Sequence, residues 1–399
     1  MKILVLNSGS SSIKFQMLDM STEEVLLRGL VERIGLDESV ISWKTDGDKH
    51  KKTLHIPGHK EGLSAVLDIL TDSEHGVISD FNEIDAVGHR YVHGGEEYKD
   101  SAVVTAADIP ALEKLNHLAP LHNPHNLVGV KAMLELIPQV PNVIVFDTSF
   151  HSRMPEKAYM YALPYELYEE YGIRRYGFHG TSHHYVALEA ADMLGRPFEE
   201  VRVITCHMGN GTSFSAVRNG HSVDTSLGFS TMCGIPMGTR AGDFDPGILT
   251  HLLNTGDFTP ESLHDLIYKK SGMLGVSGVS SDMRDIEQKA WNEKDKRAQL
   301  ALDLVHYQAK KYIGAYLAVM NGADALVFTA GIGENGWETR EEICSGMEFL
   351  GIKIDTEKNK VRGKRVDISA PDSRIRVLVI PTNEELMIAK ETLELTQEK

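Results

Sequence analysis

The chain has 399 residues, 42% hydrophobic and 25% charged, the make-up of a folded globular protein too long for one simple core, and it predicts two domains. Its formal charge of −16 excludes a general nucleic-acid binder, which would present a basic face, so any anionic substrate must be met by a few placed cations. The four-residue apolar run before Asn7 is too short for a signal peptide, no run approaches the roughly 18 apolar residues of a membrane span, and three scattered cysteines imply no disulfide framework, so a cytoplasmic location without membrane partners is expected.

Lys2 to Leu18 reads as strand, tight turn, strand, with Gly9 and the serines from Ser8 to Ser12 at the turn. Such a turn can gather backbone N–H groups and hydroxyls around a phosphate; its plainer reading is a hairpin with a polar tip. Glu24 to Ile34 supplies a third strand, and the charged stretch Lys44 to Lys52 reads as a solvated strand edge or loop. Leu63, Val66, Leu67 and Leu70 recur at helical spacing. Asp85 to Val92 is a short strand feeding HRYVHGG, Asp108 is the expected N-cap of the next helix, and Asn123-Pro124 opens another through Ile137. Val143 to Phe146 is a buried strand ending at Asp147, and the chain is expected to change domain between Asp147 and Arg153. Strands alternating with helices indicate an α/β architecture.

The second half repeats the opening. Val201 to His207 is a strand running into MGNGT, Ser213 to Arg218 is another, and Asn219-Gly220 turns the chain into His221 to Asp224. Two strand, glycine turn, strand units about half a chain apart suggest duplication and one nucleotide-phosphate site served by both turns. A long helix, Leu300 to Met320, precedes a strand from Asp324 and the sequence AGIGENG; a strand, Ile375 to Ile380, and a helix from Asn383 to Leu395 close the chain.

GIGENG also matches the dinucleotide fingerprint, with Asp355 about 20 residues on, and so allows an NAD-dependent oxidoreductase. Only 44 residues remain after Asp355, too few for the usual sheet, and that reading leaves both hairpins unexplained. Arg90 and Arg240, each among glycines, suit a phosphoryl group in flight, although an arginine is more often part of a structural ion pair. His179 and His183 have the spacing of a zinc pair without the residues to complete it, so a hydrogen-bonding or core histidine is expected. Asp147 can position a group at a sheet's carboxyl edge, Asp282 to Arg284 can meet a nucleotide or cap a helix, and Glu384 can reach Mg²⁺ or favour a helix N-terminus.

Together the segments LNSGSSSIKF, GHRYVHGG, LAPLHNP, FDTSFH, YGFHGTSH, CHMGNGTS, VSSDMRD, GIGENG and PTNEELMIA resemble the acetate kinase family over essentially the full length. The resemblance implies two duplicated actin-like, ribonuclease H-like domains with mixed sheets flanked by helices around an ATP cleft: residues 1–150 with 384–399, and 151–383, the second carrying the main nucleotide site and a homodimer interface. It implies reversible transfer of a phosphoryl group between ATP and acetate, in line, with Mg²⁺ or Mn²⁺, giving acetyl phosphate and ADP. By motif, Asn7 and Glu384 would hold the metal, and Ser12 and Lys14 would face the phosphates. ATP would be held by His207, Met208, Gly209, Asn210 and Gly211, by Asp282, Met283 and Arg284, and by Gly331, Ile332, Gly333, Glu334 and Asn335. Arg90, His179 and Arg240 would bind the phosphoryl group, with Asp147 positioning the reacting groups, and Val92, Leu121 and Phe178 would line an apolar pocket for the acid.

Two departures stand out. The family usually has FTPLEG where this chain has FSTMCG, so Thr231 replaces a proline and opens the choice between acetate and propionate or butyrate, since one methylene is worth only about 1–3 kcal/mol. Ala330 stands where glycine is usual, and a small effect is expected from its added methyl group. A catalytically silent, actin-like ATP-binding protein is the rival of the same fold, with no use for Arg90, His179 and an apolar pocket together.

Overall fold

The computed structural model describes residues 1–45 and 47–397. The chain divides into two compact units, Met1–Ser152 with Asn383–Lys399, and Arg153–Thr382.

Among the described residues the first unit has one sheet of eight strands: β1 (Lys2–Ser8), β2 (Ser12–Asp19), β3 (Glu24–Glu32), β4 (Ser39–Thr45), β5 (Asp48–Leu54), β6 (Ala86–Tyr91), β7 (Ala102–Val104) and β8 (Asn142–Phe146). Their order is β5-β4-β3-β2-β1-β6-β8-β7. Of the charged stretch Lys44 to Lys52, Lys44 and Thr45 end β4 and Asp48 to Lys52 lie on the edge strand β5, the two strands pairing antiparallel from Ser39↔Leu54 to Thr45↔Asp48, while Asp46 lies outside the described residues. Ile3, Leu4, Val5 and Leu6 are all buried, as a central strand with a covered sheet on both sides requires. Leu4, Leu6, Ile13 and Phe15 pack with Leu63, Val66 and Met133 of the helices His59–Leu70 and Asn123–Leu136. The other face receives the helix Glu384–Gln397, whose Ile388 and Thr392 approach Gly88 of β6 so closely that a Cβ there would lie 2.5 Å from the threonine hydroxyl. Thr105, rather than Asp108, caps the turn before the helix Ile109–Lys114; Asp108 reciprocates by accepting from the Thr105 N–H at 2.8 Å.

The second unit's sheet has six strands among the described residues: β9 (Arg202–Met208), β10 (Thr212–Arg218), β11 (His221–Thr225), β12 (Ala325–Thr329), β13 (Val366–Asp367) and β14 (Arg376–Val379), in the order β11-β10-β9-β12-β14-β13. Its first five positions repeat β3-β2-β1-β6-β8: an antiparallel meander, then two strands parallel to the first. The long helix Lys296–Met320 buries Leu302, Val305, Ile313 and Tyr316 against Ile204, Phe214 and Phe328 of this sheet. Both units are thus α/β with mixed sheets flanked by helices, unlike the parallel sheet of a dinucleotide-binding fold.

Candidate active site

In the first unit β1 delivers Asn7 and β2 delivers Lys14, and the antiparallel register places the two directly opposite each other. Between them the N–H of Gly9 donates to the carbonyl of Ser12 at 2.8 Å, closing the hairpin. Lys14 pairs with the Glu385 carboxylate, one residue beyond Glu384 at the start of the last helix. Asn126 locks this turn to the next strand end: its Nδ2 donates to the Ser8 carbonyl at 2.7 Å, and its Oδ1 accepts from the Val92 N–H at 3.2 Å. Asn123 does the same for His93, accepting from its N–H at 3.1 Å and donating to its carbonyl at 3.0 Å. Neither asparagine was marked as functional by the sequence; the polar run at the start of an otherwise apolar helix was the available signal.

Arg90 on β6 and Asp147 just past β8 lie on parallel neighbours, and the guanidinium makes a two-point contact with the carboxylate at 3.1 and 2.5 Å. Asp147 is 2% exposed. Burial pushes its carboxyl up, to about 6; Arg90 opposes this and the Glu384 carboxylate adds to it. For Arg90 burial acts downward, but the charges of Asp147, Glu384 and Glu385 outweigh it and hold the guanidinium above its ordinary value. Val92 is buried, whereas Leu121 is 70% exposed.

In the second unit His179 precedes the helix Gly180–Leu194 with φ of 57°, a left-handed backbone that turns its ring back over the sheet. Its Nδ1 lies 2.8 Å from the Ser213 hydroxyl, and its ring stacks on His207 with centroids 4.3 Å apart. His207 Nδ1 meets the Ser182 hydroxyl at 2.8 Å, and Ser182 meets Thr382 at 2.8 Å. His183 engages Thr205 and Ser213 through its two ring nitrogens, at 2.7 Å each, which is core histidine chemistry rather than half of a zinc site. A Cβ at Gly211 would sit 3.1 Å from Nε2 of His179 and 3.8 Å from a guanidinium nitrogen of Arg240, so the bare glycine opens a space bordered by both. Arg240 donates to the Thr231 carbonyl at 2.9 Å, and burial lowers it from the ordinary arginine value. The backbone of Thr231, the residue that departs from the family pattern, thus fixes the arginine's position. Phe178 is buried beside His179.

A cavity of about 490 Å³ opens in this unit. Gly209, Asn210, Asp282, Met283, Arg284, Gly331, Ile332 and Asn335 line it, drawn from three separate sequence motifs. Asp282 does both things expected of it: it caps the helix Met283–Glu287, accepting from the Arg284 N–H at 2.9 Å, and it edges the cavity. His207, Met208, Gly211, Gly333 and Glu334 do not line it. Met208 is core, Gly333 packs on the backbone of Phe328, and Glu334 accepts from the Thr382 N–H at 3.1 Å. Glu287 and Arg362 line the cavity without having been singled out. Glu287 lies one helical turn beyond Met283, so the spacing carried that signal; Arg362 sits in a loop with none. Burial, reinforced by the Glu338 charge, pushes the Glu287 carboxyl up to about 7. Ala330 opens the helical turn Ala330–Asn335 at φ 62°, a left-handed backbone in which its methyl group strains the chain as well as occupying space.

Among the described residues no group of three or more His, Cys, Asp or Glu side chains is arranged to hold a metal by itself. A model of the acetokinase family matches residues 2–390. An acetate kinase of Clostridium botulinum strain Loch Maree is 56% identical over 396 residues, 99% of this chain and 100% of that one. Among solved structures, an acetate kinase of Porphyromonas gingivalis is 48% identical with a TM-score of 0.95, covering 99% of both chains. A propionate kinase of Francisella tularensis is 38% identical with a TM-score of 0.90, again over 99% of both chains.

Proposed function

The chain belongs to the acetokinase family, and on that premise we propose that it transfers the terminal phosphoryl group of ATP to the carboxylate of acetate, reversibly and in line, giving acetyl phosphate and ADP. The observation that carries this reading is full-length likeness to proteins named acetate kinase. The gathering of three motifs around one cavity in the second unit supports it, since 490 Å³ lies in the range of small-molecule sites.

In this reading the adenosine end lies in that cavity, and the turn His207 to Gly211 is assigned to the phosphates, as are Ser12 and Lys14. Arg90, His179 and Arg240 bind the phosphoryl group. Little covalent chemistry is required of the protein, so its work is positioning and charge stabilisation. Asp147 holds the Arg90 fork in one orientation through its two contacts. Val92, Leu121 and Phe178 are assigned to the acid's alkyl group.

Asn7 and Glu384 are assigned to Mg²⁺ or Mn²⁺. Both offer hard oxygen donors and are partly exposed, which suits an ion that keeps several waters and is bound by few protein groups. Bound there with the nucleotide, the ion supplies charge neutralisation on the phosphates. The protein is assigned to the cytoplasm; among the described residues no helix is long and apolar enough to cross a membrane. A homodimer is proposed through the second unit, where Leu300, Leu304 and Tyr307 leave one face of the long helix apolar and exposed, and sedimentation tests it.

The deciding experiment measures ADP release from Mg²⁺-ATP with a series of one- to five-carbon acids. A maximum at acetate supports the proposal. A maximum at propionate or butyrate moves it to that acid, and ATP binding without acyl phosphate from any acid refutes it.

A further inference from the structure

We infer that Arg362 binds the nucleoside end of the nucleotide, laying its planar guanidinium against the face of the base. The inference rests on the reading of the second unit's cavity as a nucleotide site. Arg362 lines that cavity, yet it belongs to an irregular segment of the kind that is ordinarily mobile. Here both of its neighbours are tied. The Val361 carbonyl accepts from Nη2 of Arg340 at 2.9 Å, and the Gly363 N–H donates to the Glu334 carbonyl at 3.1 Å. Gly363 has φ of 58°, a left-handed backbone that returns the chain past Asn335, whose Oδ1 lies 3.7 Å from where a Cβ on the glycine would stand. Asn335 lines the same cavity.

Arg340, on the helix Trp337–Cys344, is the clamp. It is wholly buried, and besides Val361 it donates to the Asn359 side-chain oxygen at 2.9 Å, the Asn359 carbonyl at 2.7 Å and the Gly333 carbonyl at 2.8 Å. These acceptors are all uncharged, and burial lowers the guanidinium to about 10. Desolvating a cation among neutral oxygens is unfavourable, more so than the closure of a plain surface loop calls for. What the clamp achieves is to join residues 359–361 to Gly333, inside the turn that supplies Gly331, Ile332 and Asn335 to the cavity wall. Arg362 is thereby held in a fixed place against that wall. The place lies toward the end of the turn remote from the phosphates. A Cβ on Gly209, in the segment assigned to phosphate, would lie 3.8 Å from the Ala330 Cβ at the start of the turn. The tethers of Arg362 reach Gly333 and Glu334, about one helical turn further along. Its charge also draws down the carboxyl of Glu287, another cavity residue, so both act on the same space. A guanidinium there meets the nucleoside. Being planar, always charged and weakly hydrated, it is suited to an aromatic face.

Calorimetric titration of the full chain with ADP, beside steady-state kinetics, tests this. Arg362→Ala should bind ADP about 5- to 30-fold more weakly, the range of a cation–π contact at a partly desolvated site. KM for ATP should rise to match while kcat and KM for acetate stay within about twofold, as for a contact made equally before and during transfer. Because Arg362 is exposed, its melting temperature should stay within about 2 °C, which separates lost binding from lost folding. Arg362→Lys keeps the charge without the plane and should recover little of the affinity. The loss should be the same for 2′,3′-dideoxy-ADP, since the base and not the sugar is contacted. ADP binding within about twofold of the unsubstituted protein in Arg362→Ala overturns the inference. So does recovery by Arg362→Lys, which would mark a point charge on phosphate, or a loss that vanishes with the dideoxy nucleotide, which would place the fork on the ribose. A protein that binds ADP but forms no acyl phosphate loses the functional reading and leaves this test intact; one that binds no ADP overturns both.

Discussion

Replacing Arg240 by alanine should cost activity without costing stability. Among the described residues the guanidinium has no carboxylate partner; it donates to the Thr231 carbonyl at 2.9 Å and lies 3.5 Å from the Met237 sulfur. Burial already lowers it from the ordinary arginine value, so the fold carries a cation that is desolvated and unneutralised before any substrate arrives. Such a charge is worth most when an anion develops beside it, because no solvent has to reorganise. Arginines in this role contribute at least about 10³ in kcat, which at 1.36 kcal/mol per tenfold is about 4 kcal/mol of transition-state stabilisation. Arg240→Ala should therefore turn over about 10³-fold more slowly while its melting temperature stays level or rises. Arg90→Ala should lose as much activity and also about 2–3 kcal/mol of stability, because it strips the two-point partner from the buried Asp147; partial exposure of Arg90 keeps this below the full cost of breaking a buried pair. Coupled ADP-release kinetics and thermal melts of both variants check this. Arg240→Ala turning over within about tenfold of the unsubstituted protein, or unfolding as readily as Arg90→Ala, would refute the reasoning.

Ala330→Gly should raise stability by about 1 kcal/mol, since φ of 62° strains an alanine and not a glycine; a lower melting temperature would show that unfolded-state entropy outweighs the strain. Glu287→Gln should flatten the pH dependence of stability. A carboxyl raised from 4.5 to about 7 contributes stability present below 4.5 and lost as pH rises through 7, so the glutamine variant should gain on the order of 1–2 kcal/mol at pH 8 relative to pH 5, after discounting for partial exposure. Denaturant titrations at the two pH values measure it. Gly129→Ala would bring a Cβ within 2.4 Å of the buried Ser8 hydroxyl and should cost about 1–3 kcal/mol, part of which Ser8→Ala in the same chain should restore.

Local pattern made much of this molecule legible. Apolar runs such as Ile3 to Leu6 and Val143 to Phe146 can only be interior strands, and Asn219-Gly220 demands a tight hairpin because both positions adopt positive φ. The repeated meander was visible for the same reason, since a glycine turn between two apolar runs specifies pairing between neighbours in the chain. The motif residues of the cavity could be named too, though not their division: Gly209 and Ile332 face the cavity, while Gly333 and Glu334 of the same run face inward. That division depends on the turn being helical, with successive side chains pointing about 100° apart, and a glycine-rich string does not reveal its own dihedrals.

What only tertiary structure decided are relations between residues far apart in sequence. Arg90 and Asp147, 57 residues apart, meet because β6 and β8 are parallel neighbours, and parallel pairing requires a long crossover whose length carries no record of register. Asn126 reaches back 118 residues to Ser8, and His183 takes its partners from β9 and β10. The sequence by itself determined which segments become strands and helices and which residue types were available for chemistry, because those follow from local periodicity. Packing decided which nitrogen, oxygen or guanidinium faces which partner, because hydrogen bonds act over about 3 Å and only the folded sheet brings these groups that close.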